Sequence, residues 1–138
     1  MSGASHAVDF ERLAATIRSA SPDVVFAVVL GSAAEGNLRP GSDLDLALFI
    51  TDISRAWAVR SAVDQALDGL LPGVPIDIGI LNHSDPVYRF EAASGRLLFT
   101  RDLEVWLEFF SRAAREYEYQ MADYERQRRY RMEARREN

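Results

Sequence analysis

The sequence has 138 residues, of which 48% are hydrophobic and 27% charged, and this fits one globular domain rather than a disordered or fibrous chain. The formal net charge is −5, and residues 1–110 carry 8 Arg against 15 acidic residues, which argues against general nucleic-acid binding. The chain has no cysteine, so a disulfide framework and thiolate metal sites are excluded.

The N-terminal stretch MSGASHAVDFERL lacks a basic segment followed by an apolar run, so we expect no secretory signal. No apolar run reaches the length that spans a membrane. The two histidines, His6 and His83, are not at the spacing of metal ligands, so we expect no zinc site. We therefore expect a cytoplasmic protein without a membrane partner.

The first half of the sequence predicts one helix and two strands. Apolar residues recur at helical spacing over residues 8–20, before a Ser-Pro-Asp break. Residues 24–30, VVFAVVL, are β-branched and apolar, which predicts a buried strand. Residues 33–42 contain two glycines and a proline, which indicates a loop or short helical turn. Residues 43–50 form the next strand, with leucines alternating along one face.

The second half continues the alternation of helices and strands. We expect a helix over residues 54–71, a strand over 74–81, a short helix over 85–94 capped by Gly95, and a strand over 96–100. From residue 102 onward the chain has no Gly or Pro, which predicts one long helix or two. The pattern predicts an α/β (α+β) domain with a mixed sheet, flanking helices and a long C-terminal helical extension. Trp57 and Trp106 are expected to be packing residues.

Three aspartates lie on predicted strands. Asp43 and Asp45 share a face because strand side chains alternate, and Asp77 lies inside another apolar strand. If the two strands are neighbours, three carboxylates converge on a patch that needs a positive counter-charge. Mg²⁺ takes carboxylate oxygens, and two such ions serve in-line phosphoryl displacement. A D-x-D pair alone is common at exposed strand starts, so the motif requires further support.

Gly31-Ser32 supplies that support because it follows directly after a buried strand. Backbone N–H groups of a Gly-containing turn and a serine hydroxyl hold phosphate oxygens. The informative feature is the order: buried strand, Gly-Ser, a loop of about ten residues, S-D-x-D-L, and a later strand with a lone Asp.

In this order the sequence resembles the DNA polymerase β-type nucleotidyltransferase superfamily in its minimal (MNT) form. Ser42-Asp43-Leu44-Asp45-Leu46 matches the family pattern closely, and the resemblance covers residues 24–81. The chain departs from many relatives in one respect. Glu35 precedes the second glycine, where those relatives have Arg, and an acid facing a triphosphate would weaken nucleotide binding.

The resemblance implies a polymerase-β-like fold, ATP as substrate and Mg²⁺, two ions in number, as cofactor. It implies that the three carboxylates, Asp43, Asp45 and Asp77, hold the metals and carry catalysis, with Asp77 helping to deprotonate the attacking hydroxyl. It also implies a set of nucleotide-binding residues, namely Gly31, Ser32, Gly36 and Ser42. Residues 1–101 would be the minimal nucleotidyltransferase domain and residues 102–138 a partner-binding extension of the same compact unit.

The C-terminal extension carries a seven-residue apolar repeat with alternating steps of four and three. The repeat runs through Leu103, Leu107, Phe110, Ala114, Tyr117, Met121 and Tyr124. We interpret residues 103–110 as core packing on the sheet. The outer half is rich in Tyr, Met and Arg, which are favoured at interfaces, and predicts a helical partner or self-association.

The aromatic- and Arg-rich C-terminal segment YEYQMADYERQRRYR and the small size of the chain resemble the antitoxins of HEPN/MNT toxin–antitoxin pairs. That resemblance implies transfer of AMP from ATP to a tyrosine of a HEPN RNase toxin, which neutralises the toxin. The toxin would be contacted partly through Phe110, Tyr117, Met121, Tyr124 and the Arg-rich tail, in a homo- or hetero-oligomer.

Three alternatives remain open from the sequence. An antitoxin could neutralise by binding alone, and Glu35 favours this reading. A small-molecule nucleotidyltransferase could use the helical subunit as an acceptor platform. An adaptor could bind nucleic acid through residues 126–136, although the acidic body disfavours it.

Overall fold

The computed structural model describes residues 6–137, so the part of the N-terminal signal expectation that concerns residues 1–5 lies outside the described residues. The strands are β1 (His6–Ala7), β2 (Val24–Leu30), β3 (Asn37–Leu38), β4 (Leu44–Ile50), β5 (Ile76–Ile80) and β6 (Arg96–Thr100). The helices are α1 (Phe10–Ala20), α2 (Ala56–Leu70), α3 (Pro86–Ala93) and α4 (Leu103–Glu137). Short 3₁₀ helices span Gly31–Glu35 and Ile53–Arg55.

The main sheet has four strands in the order β5-β4-β2-β6. Strand β4 runs parallel to β5, whereas β2 is antiparallel to both β4 and β6. Strands β1 and β3 form a separate two-stranded sheet that the sequence did not predict. The predicted mixed sheet with flanking helices and a long C-terminal helix is confirmed.

Helices cover both faces of the sheet because the strand residues alternate between two cores. The leucines at positions 44, 46 and 48 pack with α1 and α2. The opposite face, with Ala47 and Phe49, packs against α3 and α4 around Phe26 and Phe109. This alternation directs Asp45 to the α3 and α4 side of the sheet.

Aspartates begin three of the helices. The Asp9 carboxylate accepts the Arg12 N–H at 3.1 Å, and the Asp85 carboxylate accepts the Tyr88 N–H at 3.0 Å. Asp102 does the same for the first turn of α4. Such caps satisfy N–H groups that have no partner within the helix. The acidic residues at these positions therefore serve the fold.

Helix α4 is a single helix of 35 residues, and its first half packs against the body of the protein. The interpretation of residues 103–110 as sheet-packing core is wrong for the repeat positions, because Leu103, Leu107 and Phe110 are exposed at 61%, 52% and 46%. Phe109 and Ala113 are buried instead. Adjacent helical residues differ by about 100° around the axis, so the packed face is rotated by one residue from the predicted one.

Two smaller predictions are also wrong. Trp57 is 80% exposed, because it lies about 200° around α2 from the buried Val59. Gly95 does not end α3 in a left-handed cap. A Cβ at Gly95 would lie 2.6 Å from the Val29 carbonyl oxygen, so glycine is needed there for close approach to β2. The prediction for Trp106 is confirmed, since its ring packs edge-on against Phe26 at 5.0 Å.

No helix in the part of the chain that the structure describes has the length and apolar character needed to cross a membrane.

Candidate active site

The turn after β2 brings Gly31 against Asp45. Leu30, the last residue of β2, pairs with Asp45 on β4, so the next residue must pass over that carboxylate. Gly31 has φ +67°, a left-handed conformation that favours glycine, and a Cβ there would lie 3.5 Å from Asp45 Oδ2. The turn continues as a 3₁₀ helix with Ser32 exposed in its first turn.

The three predicted carboxylates meet at one end of the sheet, which we call the acidic edge (Asp43, Asp45 and Asp77). Asp77 on β5 lies directly opposite Asp45 on β4 in parallel register, and Asp43 immediately precedes β4. The pKa of Asp45 is raised, first by burial and then by the charges of Asp77, Asp43 and Glu91. The side chains are thus close enough for their negative charges to act on one another.

The other two predicted nucleotide-binding residues have roles in the loop. Gly36 ends the 3₁₀ helix at φ +106°, and its carbonyl accepts the Val8 N–H at 2.9 Å. The Ser42 N–H donates to the Arg39 carbonyl at 3.0 Å, just before Asp43. These contacts fix the loop that connects the Gly31 turn to the acidic edge.

An open cleft of about 820 Å³ adjoins the acidic edge. Gly31 and Glu35 line it from the 3₁₀ helix, Phe90 and Glu91 from α3, and Arg96 from β6. A volume of several hundred Å³ is typical of small-molecule sites. Gly31 and Glu91 connect the cleft to the acidic edge, because a Cβ on Gly31 would lie 3.5 Å from Asp45 Oδ2 and the charge of Glu91 acts on Asp45.

Sequence reasoning missed two residues at this site, Tyr88 and Glu91 on α3. The Tyr88 hydroxyl lies against Gly79 on β5, two residues from Asp77 on the same face. Burial, followed by the charges of Asp77 and Asp45, raises the pKa of Tyr88. Tyr88 and Glu91 are three residues apart, which places them on one face of a helix. Nothing in the local sequence predicts that this face lies over β5.

The donor set of the acidic edge fits Mg²⁺ in chemistry. Carboxylate oxygens are its preferred protein ligands. The aspartates repel one another because their negative charges are close, and a divalent cation would neutralise that charge. In the arrangement described for residues 6–137, no group of three or more His, Asp or Glu side chains is close enough to hold a metal alone. Water molecules, joined by substrate phosphates when nucleotide is bound, would complete the coordination shell.

Comparison with known proteins yields a family and a fold. Residues 11–104 match the family described as Polymerase beta, Nucleotidyltransferase. No curated protein sequence matches the chain.

Solved structures with the same fold come from toxin–antitoxin complexes. In a mutant of the MntA-HpeT complex with two Asp-to-Glu changes, the match has a TM-score of 0.65 at 17% identity and covers 84% of this chain and 92% of that one. A toxin–antitoxin complex with AMP-PNP gives 0.64 at 18%, with the same coverage. The complex of the tri-AMPylated Shewanella oneidensis HEPN toxin with MNT antitoxin gives 0.57 at 17%, covering 83% and 87%.

Proposed function

The chain belongs to the polymerase beta nucleotidyltransferase family, and from this premise we propose that it is the antitoxin of a HEPN/MNT toxin–antitoxin pair. In this proposal it transfers AMP from ATP to a tyrosine hydroxyl of its HEPN toxin and so neutralises the toxin. The observation that carries the proposal is the contact of the Gly31 turn with Asp45, which lies opposite Asp77 and beside an open cleft. The solved complexes, one with a tri-AMPylated toxin and one with AMP-PNP, support the same reading.

In this proposal the residues of the site have separate metal-binding, phosphate-binding and positioning roles. Asp43, Asp45 and Asp77 would hold two Mg²⁺ ions together with water and substrate phosphates, and the N–H groups of Gly31 and Ser32 would bind phosphate oxygens. When bound, Mg²⁺ supplies positive charge that neutralises the triphosphate and orients it for in-line displacement. The loop stabilised by Gly36 and Ser42 keeps the turn and the acidic edge in register.

Asp77 is the residue best placed to accept the proton of the acceptor. It lies at the exposed end of β5, whereas Asp45 is half-buried under the Gly31 turn. The tyrosine oxygen forms a bond to the α-phosphorus, the bond from that phosphorus to the bridging oxygen breaks, and pyrophosphate leaves. The hydroxyl proton passes to the Asp77 carboxylate.

Helix α4 is the proposed toxin-binding element, within an extension of residues 102–138 that follows a nucleotidyltransferase domain of residues 1–101. Phe110, Met121 and Tyr124 are exposed at 46%, 40% and 58%, and every side chain from residue 124 to 136 is exposed. Tyr117 is half-buried because one face of its ring stacks on Phe90 at 3.9 Å, so it offers the partner only its other side. Six arginines follow within residues 126–136 and would contact acidic groups of the toxin.

The test is an incubation with α-labelled ATP and Mg²⁺, with and without the HEPN protein encoded beside this chain, followed by intact-mass measurement of both proteins. We expect a gain of one AMP or more on the toxin, abolished by Asp43→Asn/Asp45→Asn. Asp64→Asn on the exposed face of α2 makes an equivalent charge change away from the site and serves as the control. Turnover of ATP without protein label would indicate a small-molecule acceptor instead.

A binding-only antitoxin is the second candidate, and Glu35 favours it. Glu35 lines the cleft beside the proposed phosphate site, where its negative charge would oppose a triphosphate. A stable toxin complex that carries no label, with no measurable ATP binding, would support this candidate over the enzyme. Tighter ATP binding in Glu35→Gln than in the parent chain would favour the enzyme, because it would locate the nucleotide in this cleft.

A further inference from the structure

The sheet has a shallow trough directly behind the acidic edge. Gly79 on β5 lies opposite Ala47 on β4, one step beyond the Asp45 and Asp77 pair on the same face. Two small residues in register leave space above the sheet at this point. This space is therefore next to the Asp45 and Asp77 pair along the same face of the sheet.

The phenol of Tyr88 fills this trough. A Cβ at Gly79 would collide with the Tyr88 hydroxyl oxygen and would lie 2.8 Å from Cζ and 3.2 Å from Cε1 of the same ring. Any residue larger than glycine at position 79 would displace the hydroxyl. The absence of a side chain at Gly79 is thus what lets the Tyr88 hydroxyl lie against β5, two residues from Asp77 on the same face.

Helix α3 keeps this ring in place from the other side. Phe90 stacks on Tyr117 of α4 at 3.9 Å, and Arg89 forms an ion pair with Glu116 of α4 at 2.7 Å. Arg89 and Phe90 directly follow Tyr88 in the sequence, so these contacts anchor its turn of α3 to α4. The tyrosine is therefore fixed between α4 and the sheet.

The electrostatic surroundings favour a hydroxyl that donates to a carboxylate. Beside burial, the charges of Asp77, Asp45 and Glu91 raise the pKa of Tyr88, and the charge of Arg60 acts in the opposite direction. Three of these four groups are acidic, and a phenol is a neutral donor at physiological pH. Donation to one oxygen of Asp77 would leave its other oxygen free for a metal ion or an acceptor hydroxyl.

We propose that Tyr88 is a positioning residue of the acidic edge, whose hydroxyl, lying against Gly79, orients the Asp77 carboxylate for metal binding. This inference rests on the proposed function of the acidic edge. It adds a residue from α3 to a site that the sequence motif assigns to strands and a turn. It also gives Gly79 a specific reason to be glycine.

The test measures Mn²⁺ binding to the purified chain without nucleotide, by the loss of the free-ion paramagnetic resonance signal. We expect Tyr88→Phe to weaken Mn²⁺ binding about tenfold, the lower end of the effect of groups that orient metal ligands. Its melting temperature should stay within a few degrees of the parent value. Tyr119→Phe, at a tyrosine that is 76% exposed on α4, is the matched control and should change neither quantity.

A double-mutant cycle separates positioning from a general structural effect. If Tyr88 acts through Asp77, Tyr88→Phe should have no further effect on Mn²⁺ affinity in the Asp77→Asn background. Parent affinity in Tyr88→Phe, or an equal loss in both backgrounds, would overturn the positioning role alone. A parent chain that binds no Mn²⁺ would refute the proposed function of the acidic edge and the role of Tyr88 with it.

Discussion

Replacing Asp45 by asparagine should make the metal-free protein more stable while abolishing its activity. The Asp45 carboxylate is half-buried, and burial together with Asp77, Asp43 and Glu91 raises its pKa. A raised pKa means that the fold disfavours the charged form, so the carboxylate charged at pH 7 costs folding free energy that neutral Asn does not. Asn keeps the size of the side chain and removes only this cost.

The expected gain in the free energy of unfolding follows from the register of β4 and β5, which places Asp45 opposite Asp77. Neighbouring strands lie about 4.8 Å apart, and two like charges at that distance repel by about 1 kcal/mol at the dielectric constant of water. The solvent-exposed position of Asp77 favours this low value. For a domain of this size, about 1 kcal/mol corresponds to an increase of roughly 4 °C in melting temperature.

The assay is thermal unfolding in EDTA and in saturating Mg²⁺, at low and moderate salt. In EDTA, Asp45→Asn should melt about 4 °C above the parent, and salt should reduce the difference. In Mg²⁺ at about 100 times its Kd, the parent should gain about 2.7 kcal/mol and overtake the variant. Asp64→Asn controls for the general effect of net charge. An Asp45→Asn variant that melts at or below the parent in EDTA would refute the repulsion argument.

Three further predictions test other parts of the structure. Phe110→Ser on the exposed face of α4 should weaken toxin binding at least tenfold in a titration and leave the melting temperature unchanged, whereas Phe109→Ala should cost about 3–5 kcal/mol in denaturant unfolding. Burial alone would raise the pKa of Glu116, but the hydrogen bonds and charges of Arg89 and Arg112 together lower it. Its stabilising contribution is therefore complete above the ordinary glutamate pKa of about 4.3 and is lost as pH falls through the lowered value, so Glu116→Gln should flatten the acid side of a melting-temperature profile. Gly95→Ala should destabilise by about 1–3 kcal/mol because its Cβ meets the Val29 carbonyl, whereas Gly69→Ala, with nothing within 4 Å, should stabilise by about 0.5–1 kcal/mol.

The strands of the main sheet and the acidic edge were predictable because their signals are local. Alternation over residues 43–50 determines which face Asp45 occupies, and a Gly-Ser break after seven apolar residues marks the end of β2. The opposition of Asp45 and Asp77 needed one further assumption, that two apolar strands joined by a helix are neighbours. Short helical crossovers between parallel strands make that assumption reasonable, and the parallel register of β4 and β5 agrees with it.

The α3 side of the site could not be predicted, because it depends on how helices pack across the sheet. The sequence around Tyr88 predicts an ordinary short amphipathic helix. The position of Tyr88 at the site becomes apparent only from its proximity to Gly79 on β5. The same limit explains the error on α4, where Trp106, Phe109 and Phe110 are all aromatic and two helical faces have similar apolar content. The face that packs on the sheet is the one that carries Phe109, whose ring meets the stacked pair Phe26 and Phe49 at a steep angle. Phe110 is therefore left exposed on the surface proposed to bind the toxin, and most residues of the heptad pattern that misidentified the core are exposed as well.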